Sequence, residues 1–352
     1  VQHGYLFNKQ GEYVMKKDQD KNEAAVKPAQ AHQNKDKSIR PELAELILRQ
    51  SFGLDENRPD AVEKRQAKNQ RTARANVEDL CDPGSLIEYG ALAIAAQRKR
   101  RSVDDLIAKT PADGLIAGVA SINGSLFPED KARAMIMAYD YTVLAGTQGF
   151  FNHKKMDRML HLAHEQKLPL IFFGEGGGGR PGDVDAGGVV VAGLDLGTFG
   201  SFARLSGYVP VVGVVSGPCF AGNAALLGCC DVIIATENSN IGMGGPVMIE
   251  GGGLGVFKPE EVGPMDIQTV NGVVDIEVSD DLEAVATAKK YLSYFQGSLS
   301  SWEAGDPLKL RDLVPESRKR AYNVRTVIKG IADTDSFLEL RPKFGPGMVT
   351  GL

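Results

Sequence analysis

The sequence is poor in the residues that usually build disulfide frameworks, metal sites and nucleophilic catalytic centres. Its 352 residues include only four cysteines, five histidines and one tryptophan. No two cysteines form a C-x-x-C pair, which argues against a zinc site or a redox motif. His161 and His164 lie at helical spacing, and we expect them to be solvated or packed rather than bound to a metal. The sequence therefore predicts no metal site and four reduced thiols.

Membrane spans, secretion signals and an excess of positive charge are also missing. Every apolar run is broken by glycine or charge well before the ~18 residues that a span needs. The first residues lack the basic-then-apolar layout of a secretory signal. The formal net charge of -5 argues against a general nucleic-acid binder. These absences favour a protein of a reducing compartment, the cytoplasm or, in a eukaryote, the mitochondrial matrix.

Familiar catalytic signatures do not occur either. There is no G-x-S-x-G elbow, no H-E-x-x-H and no set of kinase motifs. Glycine, in contrast, is abundant, with 41 residues against roughly 25 expected at ~7%. A chain rich in main-chain donors and poor in catalytic side chains suits the stabilisation of an enolate formed from a thioester.

The chain changes character along its length. Residues 1–40 are polar and predict a mobile leader, and residues 41–110 predict a helical segment with helices at 39–52 and 61–81. From residue 111 to about 340, buried strands alternate with helices, which is typical of an α/β fold with a largely parallel sheet. The predicted strands are 114–122, 141–146, 168–174, 209–216 and 230–236. The predicted helices are 128–139, 154–166, 194–206, 221–227, 282–295 and 324–331.

The most informative segment is the glycine-rich stretch between Phe172 and Asp183, which follows a predicted buried strand. Glycine lets the backbone approach a ligand closely, and two converging N–H groups can hold a developing oxyanion. We predict that Gly176, Gly177 and Gly178 supply these donors. A flexible surface loop is the plainer interpretation. A dinucleotide site is a third, since G-x-G-x-x-G occurs here, but the acidic residue that should follow about 20 residues later is missing.

A second glycine-rich turn, from Gly217 to Asp231, again joins a predicted strand to a helix. Ala221 and Gly222 either supply a further main-chain donor or simply allow close helix packing. A third set of turns, at 241–246 and 251–255, is expected to lie next to the site or to close on it.

Taken in order, these segments resemble the carboxyltransferase component of biotin-dependent acyl-CoA carboxylases from about Arg65 to Leu352. The resemblance rests on the entry segment 71–88, the strand-turn-helix from 140 to 156, Gly174–Arg180 in place of the family's Ser-Gly-Gly-Ala-Arg, and Gly217–Gly222 in place of its Gly-Pro-Cys-Ala-Gly-Gly. Further landmarks are Gly245-Pro246, 260–263, 272–274, 291–294 and 337–351.

The resemblance implies a crotonase (ClpP/crotonase-like) ββα-superhelix domain with an N-terminal helical extension. It implies binding of an acyl-CoA, whose enolate is carboxylated by carboxybiotin from a biotin carboxyl carrier charged by a biotin carboxylase. It also implies a C-terminal carboxyltransferase domain and a homo-oligomer, with no nucleic acid or membrane as partner. Gly177 and Gly178 would form the oxyanion pair. The implied CoA-binding residues are Arg71, Arg74, Gly146, Thr147, Lys155 and Arg180.

Two departures from the family pattern matter. Glu175-Gly-Gly-Gly-Gly-Arg180 carries an extra glycine, so the register of the donors shifts by up to one residue, and the chain lies nearer the multidomain long-chain acyl-CoA carboxylase branch. Residues 341–352 are expected to begin a linker to a C-terminal domain, and we expect weak or no carboxyl transfer by this chain alone. Three alternatives stay open: a biotin-dependent decarboxylase subunit, a crotonase-type hydratase or isomerase that would use Glu175 as acid or base, and a non-catalytic acyl-CoA-binding subunit.

Overall fold

The structure is a computed structural model that describes residues 5–7, 13–15, 39–185 and 197–352. The chain divides into two compact units, Val1–Ala44 and Glu45–Leu352. In the first unit, β1 (Tyr5–Phe7) and β2 (Tyr13–Met15) pair in antiparallel fashion. The rest of the predicted leader, apart from Ile39 and Arg40, lies outside the described residues.

The remaining strands and the helices lie between Ile39 and Leu352. The strands are β3 (Ile87–Glu88), β4 (Leu115–Ser121), β5 (Arg133–Tyr139), β6 (Leu170–Phe173), β7 (Val211–Val215), β8 (Pro218–Phe220), β9 (Val232–Thr236), β10 (Asn240–Gly242), β11 (Ile276–Val278), β12 (Glu339–Leu340) and β13 (Thr350–Gly351). The helices are α1 (Pro41–Ser51), α2 (Pro59–Gln66), α3 (Ala73–Leu80), α4 (Val103–Lys109), α5 (Glu129–Ala132), α6 (Phe150–Gln166), α7 (Thr198–Ala203), α8 (Gly222–Leu227), α9 (Pro246–Gly251), α10 (Met265–Gln268), α11 (Asp281–Ser293) and α12 (Val324–Ile331).

A seven-stranded sheet in the order β11-β9-β7-β6-β5-β4-β3 organises the second unit. Strands β5, β6, β7, β9 and β11 are parallel, whereas β4 runs antiparallel to both β3 and β5. Helices cover both faces, as the unbroken apolar runs in the strands predict. One face packs against α6, α7 and α8, and the other packs against α3 and α11.

Strand β5 corrects the helix that was predicted over residues 128–139. Only the short α5 forms there, and the chain then becomes a strand. Met135 and Met137 point into one core and Ile136 into the other. A short apolar run does not distinguish a buried strand from a buried helix, because both of its faces are covered.

Two further predictions are wrong for reasons of local backbone geometry. Residues 141–146 form a turn rather than a strand, because Leu144, Ala145 and Gly146 all have positive φ. The helix predicted over residues 61–81 is divided into α2 and α3, with Asn69 at φ 54° between them.

The C-terminal residues are part of the folded unit rather than the start of a linker. Strands β12 and β13 pair with each other, and the Nε of Arg341 lies 2.6 Å from a carboxylate oxygen of Asp275. The predicted helix at 194–206 corresponds to α7, and its first residues lie outside the described part of the chain. Among the described residues, no helix has the length and apolar character needed to cross a membrane.

A second, smaller layer leaves the main sheet where β6 and β7 end. Strands β8 and β10 are parallel, and single bridges join Gly176 to Cys219 and Gln148 to Gly179. The two predicted glycine-rich turns therefore meet in this layer, at the carboxyl ends of β6 and β7. In open α/β sheets this is the edge at which ligands bind.

Candidate functional site

The glycine-rich segment continues β6 into the smaller layer. The amide of Gly176 donates to the Pro218 oxygen over 2.8 Å, and Phe220 donates back to the Gly176 oxygen over 2.9 Å. A Cβ on Gly176 would stand 2.2 Å from the carbonyl oxygen of Gly146. Only glycine fits this approach, so the loop is a packed part of the fold and not a flexible surface loop.

The amides predicted to form the oxyanion hole are already engaged. In addition to the Gly176 amide, the Gly177 N–H donates to the Ala145 oxygen over 3.1 Å. The Gly178 N–H donates to Oδ1 of Asn223 over 3.0 Å. These bonds anchor the loop to its two neighbouring turns. The prediction of Gly176, Gly177 and Gly178 as oxyanion donors is therefore corrected: each amide has an internal acceptor.

Two amides in the same place have no acceptor among the described residues. The Ala221 amide, also predicted as a donor, donates to the Gly242 oxygen over 3.0 Å. The amides of Gly222 and Gly179 donate no hydrogen bond to any part of the chain that the structure describes. Gly222 was predicted, and Gly179 lies one residue beyond the predicted set. The first free amide of the loop is thus one residue beyond the predicted set, a shift that the extra glycine allowed.

The direction of the Gly179 N–H follows from its peptide plane. The Gly178 oxygen accepts from the Gln148 amide at 2.7 Å, and in a trans peptide the next N–H points the opposite way. A Cβ at Gly179 would meet nothing within 4 Å, and the residue is exposed. The Gly179 amide therefore points away from Gln148, at a position that borders open space.

Gly222 approaches this position from the second turn. Its nitrogen is 3.4 Å from where a Cβ on Gly178 would stand. Gly222 is the first residue of α8, and the N–H groups of a first helical turn have no acceptor within the helix. The second turn therefore brings its free amide against the glycine loop.

Asn223 holds the two turns together, although it was not among the predicted site residues. Its side chain is fully buried, and besides accepting from Gly178 it donates from Nδ2 to the Gly146 oxygen over 3.3 Å. An asparagine in a small-residue turn gives no signal of this role, because the partners are distant in sequence.

Ala221 is strained. Its backbone lies at φ 50° and ψ -119°, a conformation that L residues other than glycine rarely adopt. Its Cβ is 2.6 Å from the position of a Cβ on Gly178. The turn therefore packs directly against the glycine loop, and the Gly-Pro-Cys-Ala-Gly-Gly motif has glycine where this chain has Ala221.

Glu175, the acidic residue of the glycine loop, is buried in an ion pair. The two guanidinium nitrogens of Arg65 contact the two carboxylate oxygens at 2.7 and 2.8 Å. Burial raises the pKa of Glu175 to about 7, although Arg65 acts to lower it. Because both oxygens are engaged, Glu175 is poorly placed as the acid or base of a hydratase.

Three of the predicted CoA-binding cations are also buried and paired. Arg74 contacts Glu88 at 2.9 Å, and Arg180 contacts Asp113 at 2.5 Å. The Lys155 ammonium donates to main-chain carbonyl groups, and burial lowers its pKa to about 8. The structure does not support these residues as phosphate contacts, since binding a phosphate would break internal bonds.

The other predicted CoA-binding residues lie nearer the surface or support the loop. Arg71 is half-buried and contacts Asp79 at 2.7 Å. Gly146 packs against the backbone of the glycine loop. The Thr147 hydroxyl accepts from Nε of Arg180 over 3.2 Å. For Arg71 and Thr147, contact with CoA stays a prediction.

A basic cleft of about 720 Å³ adjoins the Arg65–Glu175 pair. Its lining includes Arg65 itself and the basic residues Arg58, Lys64, Lys68 and Lys109. Lys64 and Lys68 are exposed, and neither forms a salt bridge with any carboxylate in the described ranges. The sequence does not predict this cleft, because its walls include α2 and the turn after β5, which are far apart in the chain.

In the described part of the chain, no three His, Cys, Asp or Glu side chains gather where a metal ion could bind. All four cysteines are free thiols.

Comparison with known proteins identifies the family of the chain. The carboxyl transferase domain family matches residues 64–352. The chain is 30% identical to the methylmalonyl-CoA carboxyltransferase 12S subunit of Propionibacterium freudenreichii subsp. shermanii, over 82% of this chain and 54% of that protein. It is 27% identical to the propionyl-CoA carboxylase beta chain of Saccharopolyspora erythraea, over 88% of this chain and 58% of that protein. The chain thus spans somewhat more than half the length of these relatives.

Solved structures agree. A single-chain, multi-domain long-chain acyl-CoA carboxylase superposes with a TM-score of 0.85 and 57% identity, over 90% of this chain and 32% of that chain. The transcarboxylase 12S structure with methylmalonyl-CoA and methylmalonic acid bound gives a TM-score of 0.70 and 27% identity, over 88% and 59% of the two chains. The predicted crotonase-like α/β fold and the likeness to the multidomain long-chain branch are confirmed.

Proposed function

Since the chain belongs to the carboxyl transferase domain family, we propose that it is the acyl-CoA-binding half of a biotin-dependent acyl-CoA carboxyltransferase. The observation that carries the proposal is the pair of amides on Gly179 and Gly222, which have no acceptor in the described chain and lie on adjacent turns, with open space beside Gly179. The rigid packing of both turns supports their use as donors that are oriented before the substrate binds.

Carboxylation beside a thioester requires loss of a proton from the α carbon, which places negative charge on the thioester oxygen. Two preorganised N–H groups aimed at that oxygen stabilise the enolate more than the neutral substrate. Carboxybiotin would supply the carboxyl group and the base. The donors of this chain fit the acyl oxygen, and in the proposal a C-terminal carboxyltransferase domain holds the biotin ring. A biotin carboxylase, a carrier and further copies of the chain are its proposed partners.

The CoA phosphates are proposed to bind at the basic cleft through Lys64 and Lys68. This assignment replaces Arg74, Lys155 and Arg180, which are buried in internal bonds. Exposed ammonium groups without a carboxylate partner are free to neutralise phosphate, and the cleft borders the ion pair that supports the glycine loop.

Replacement of Gly179 tests the oxyanion assignment. Gly179→Pro removes the N–H, whereas Gly179→Ala keeps it and adds a Cβ that meets nothing within 4 Å. With the complete carboxyltransferase supplied, we expect the proline variant to lose about 10²–10³-fold in kcat, which is the usual effect of one missing oxyanion donor. The alanine variant should stay within a few-fold of the parent.

The readout is malonyl-type product formed from acyl-CoA and carboxybiotin, with thermal melting as a check that both variants fold. Equal activity of the two variants would rule out the Gly179 amide as a donor. Hydration of an enoyl-CoA without biotin would favour the hydratase alternative. Release of CO2 from a carboxylated acyl-CoA, with no net carboxylation, would favour the decarboxylase. Tight CoA-ester binding with no turnover in the complete enzyme would favour the non-catalytic subunit.

Charge reversal at Lys64 and Lys68 tests the phosphate assignment. The double variant Lys64→Glu/Lys68→Glu should weaken acyl-CoA binding at least tenfold at low salt, and less at high salt because of screening. Lys319→Glu is the matched control, since Lys319 is exposed and does not line the cleft. Equal affinities in the double variant and the control would place the phosphates elsewhere.

A further inference from the structure

Gln148 is fixed by its main chain beside the donors of the proposed oxyanion site. Its amide donates to the Gly178 oxygen over 2.7 Å, and its carbonyl accepts from Arg180 over 2.9 Å. It is therefore the bridge partner of Gly179. Paired residues of a β ladder direct their side chains to the same face, so the Gln148 side chain extends on the side where Gly179 faces open space.

The Gln148 carboxamide reaches across to the second turn. Its Oε1 lies 2.0 Å, and its Nε2 3.3 Å, from the position that a Cβ on Gly222 would take. A Cβ at residue 222 would collide with this carboxamide, which is the far end of a flexible side chain and can be displaced. Gln148 thus contacts the glycine loop through its main chain and the turn of Gly222 through its side chain.

The hydrogen-bond capacity of this side chain is not used internally. Gln148 is 5% exposed, and its Nε2 has no partner among the described residues. The hydroxyl of Tyr139, 1% exposed, also has none within the same ranges. Buried polar groups without a partner are rare and costly. Burial raises the pKa of the Tyr139 phenol, and the nearby Gln148 partly opposes that rise.

Rotation of the carboxamide by half a turn about its last torsion would give the Tyr139 hydroxyl an acceptor and turn Nε2 towards Gly222. Oε1 would then face the Tyr139 hydroxyl, which donates to it, and Nε2 would lie beside the Gly222 amide with a free N–H. A carboxamide has two donors and an acceptor on opposite sides, and its terminal torsion is soft. In this orientation a chain of hydrogen bonds runs from Tyr139 through Gln148 to the site.

We infer that the Gln148 carboxamide, oriented by Tyr139, is a third hydrogen-bond donor to the thioester oxygen of an acyl-CoA held by Gly179 and Gly222. This assignment rests on the proposed function. It makes Gln148 a catalytic residue and Tyr139 a positioning residue. The donor strengthens as charge develops on the oxygen, so it acts on the enolate more than on the neutral thioester.

The test compares two ligands on the intact protein by calorimetry. One is a neutral acyl-CoA, and the other is a CoA analogue in which a nitronate replaces the enolate and carries its negative charge at the same position. The parent should bind the nitronate more tightly. Gln148→Met, close in size but without donors, should reduce this preference about tenfold or more, with less than a threefold change for the neutral ligand. Tyr139→Phe should reduce it several-fold.

Gly222→Ala gives a second route to the same result if Gln148→Met folds poorly. Its Cβ displaces the carboxamide but keeps the main-chain amide, so the preference should again fall about tenfold. Gln296→Met is the control for loss of a buried glutamine, since Gln296 is 2% exposed and bonds main-chain carbonyls on another face. Gln296→Met should prefer the nitronate over the neutral acyl-CoA by the same factor as the parent.

The outcomes separate the inference from the proposed function. No preference for the nitronate in the parent would remove the oxyanion site itself. A preference in the parent that is unchanged in Gln148→Met and Gly222→Ala would overturn the role of Gln148 alone. In that case Gln148 serves packing, and melting would be the property that its replacement alters.

Discussion

Ala221 shows how a single side chain places strain at the proposed site. Its conformation, φ 50° and ψ -119°, suits glycine, and non-glycine residues held in such regions cost about 1–3 kcal/mol. The strained turn sets the position of Gly222, whose amide is one of the two free donors. The same turn packs closely against Gly178.

We expect Ala221→Gly to raise the free energy of unfolding by about 1 kcal/mol, because relief of strain exceeds the added entropy of the unfolded chain. Urea denaturation measures this change. Ala225→Gly, within α8, should instead lower stability by about 0.5–1 kcal/mol. A loss of stability in both variants would show that Ala221 is not strained.

Glu175 makes stability depend on pH. Its pKa rises from 4.5 to about 7 on folding, so between these values the folded state holds a proton that the unfolded state has released. The contribution of Glu175 to the free energy of unfolding is therefore greatest below pH 4.5 and declines as the pH rises towards 7.

Glu175→Gln removes this titration. The stability of the parent relative to the variant should fall by roughly 1–3 kcal/mol as pH rises through that window. Urea denaturation at a series of pH values gives the difference, and a flat difference would contradict the shifted pKa. Carboxyl transfer should survive in the variant, because the Glu175 oxygens face Arg65 and not the substrate.

At the scale of elements, the site depends on two turns from separate parts of the sheet. The loop after β6 and the turn before α8 are joined by the buried side chain of Asn223. The strands that lead to each turn were largely predicted from their apolar runs. The link through Asn223 was not predicted, because a hydrogen bond between residues 178 and 223 has no effect on the local sequence pattern.

Asn223→Ala should loosen the glycine loop. The change leaves the Gly178 amide and the Gly146 oxygen without partners, which costs about 1–3 kcal/mol for each buried group. Hydrogen exchange by mass spectrometry should show faster exchange over residues 176–180. Asn271→Ala, an exposed asparagine in a turn, serves as the control and should leave that peptide unchanged. Unaltered exchange in Asn223→Ala would show that other contacts hold the loop.

At the scale of the whole molecule, this chain corresponds to somewhat more than half of its curated relatives. The described residues supply a rigid sheet, two free amides and a basic cleft. In the proposal, the groups that hold biotin belong to a C-terminal carboxyltransferase domain.

We therefore expect residues 1–352 by themselves to bind acyl-CoA and to yield little or no malonyl-type product from carboxybiotin. A longer protein that contains the same residues together with that domain should carboxylate the acyl-CoA. Product analysis by mass spectrometry, with binding followed in parallel, distinguishes the two. Efficient transfer by residues 1–352 alone would show that the biotin half of the site is not needed.

The α/β class, the family and the two glycine-rich turns could all be predicted from the sequence, because apolar runs and glycine patterns are local properties. The predicted donors end one residue before Gly179, the donor that we propose. Only the tertiary structure decided which amides are free. An amide becomes a donor to a ligand when no distant carbonyl accepts from it, and the partners of Gly176, Gly177 and Gly178 come from turns that lie elsewhere in the chain.

The same reason explains the misassigned cations. The sequence does not distinguish an exposed lysine or arginine from a buried one. Packing places Lys155 against main-chain carbonyl groups and leaves Lys64 exposed at a cleft. Charge is encoded residue by residue, whereas its availability depends on long-range contacts that form when the sheet and its helices assemble.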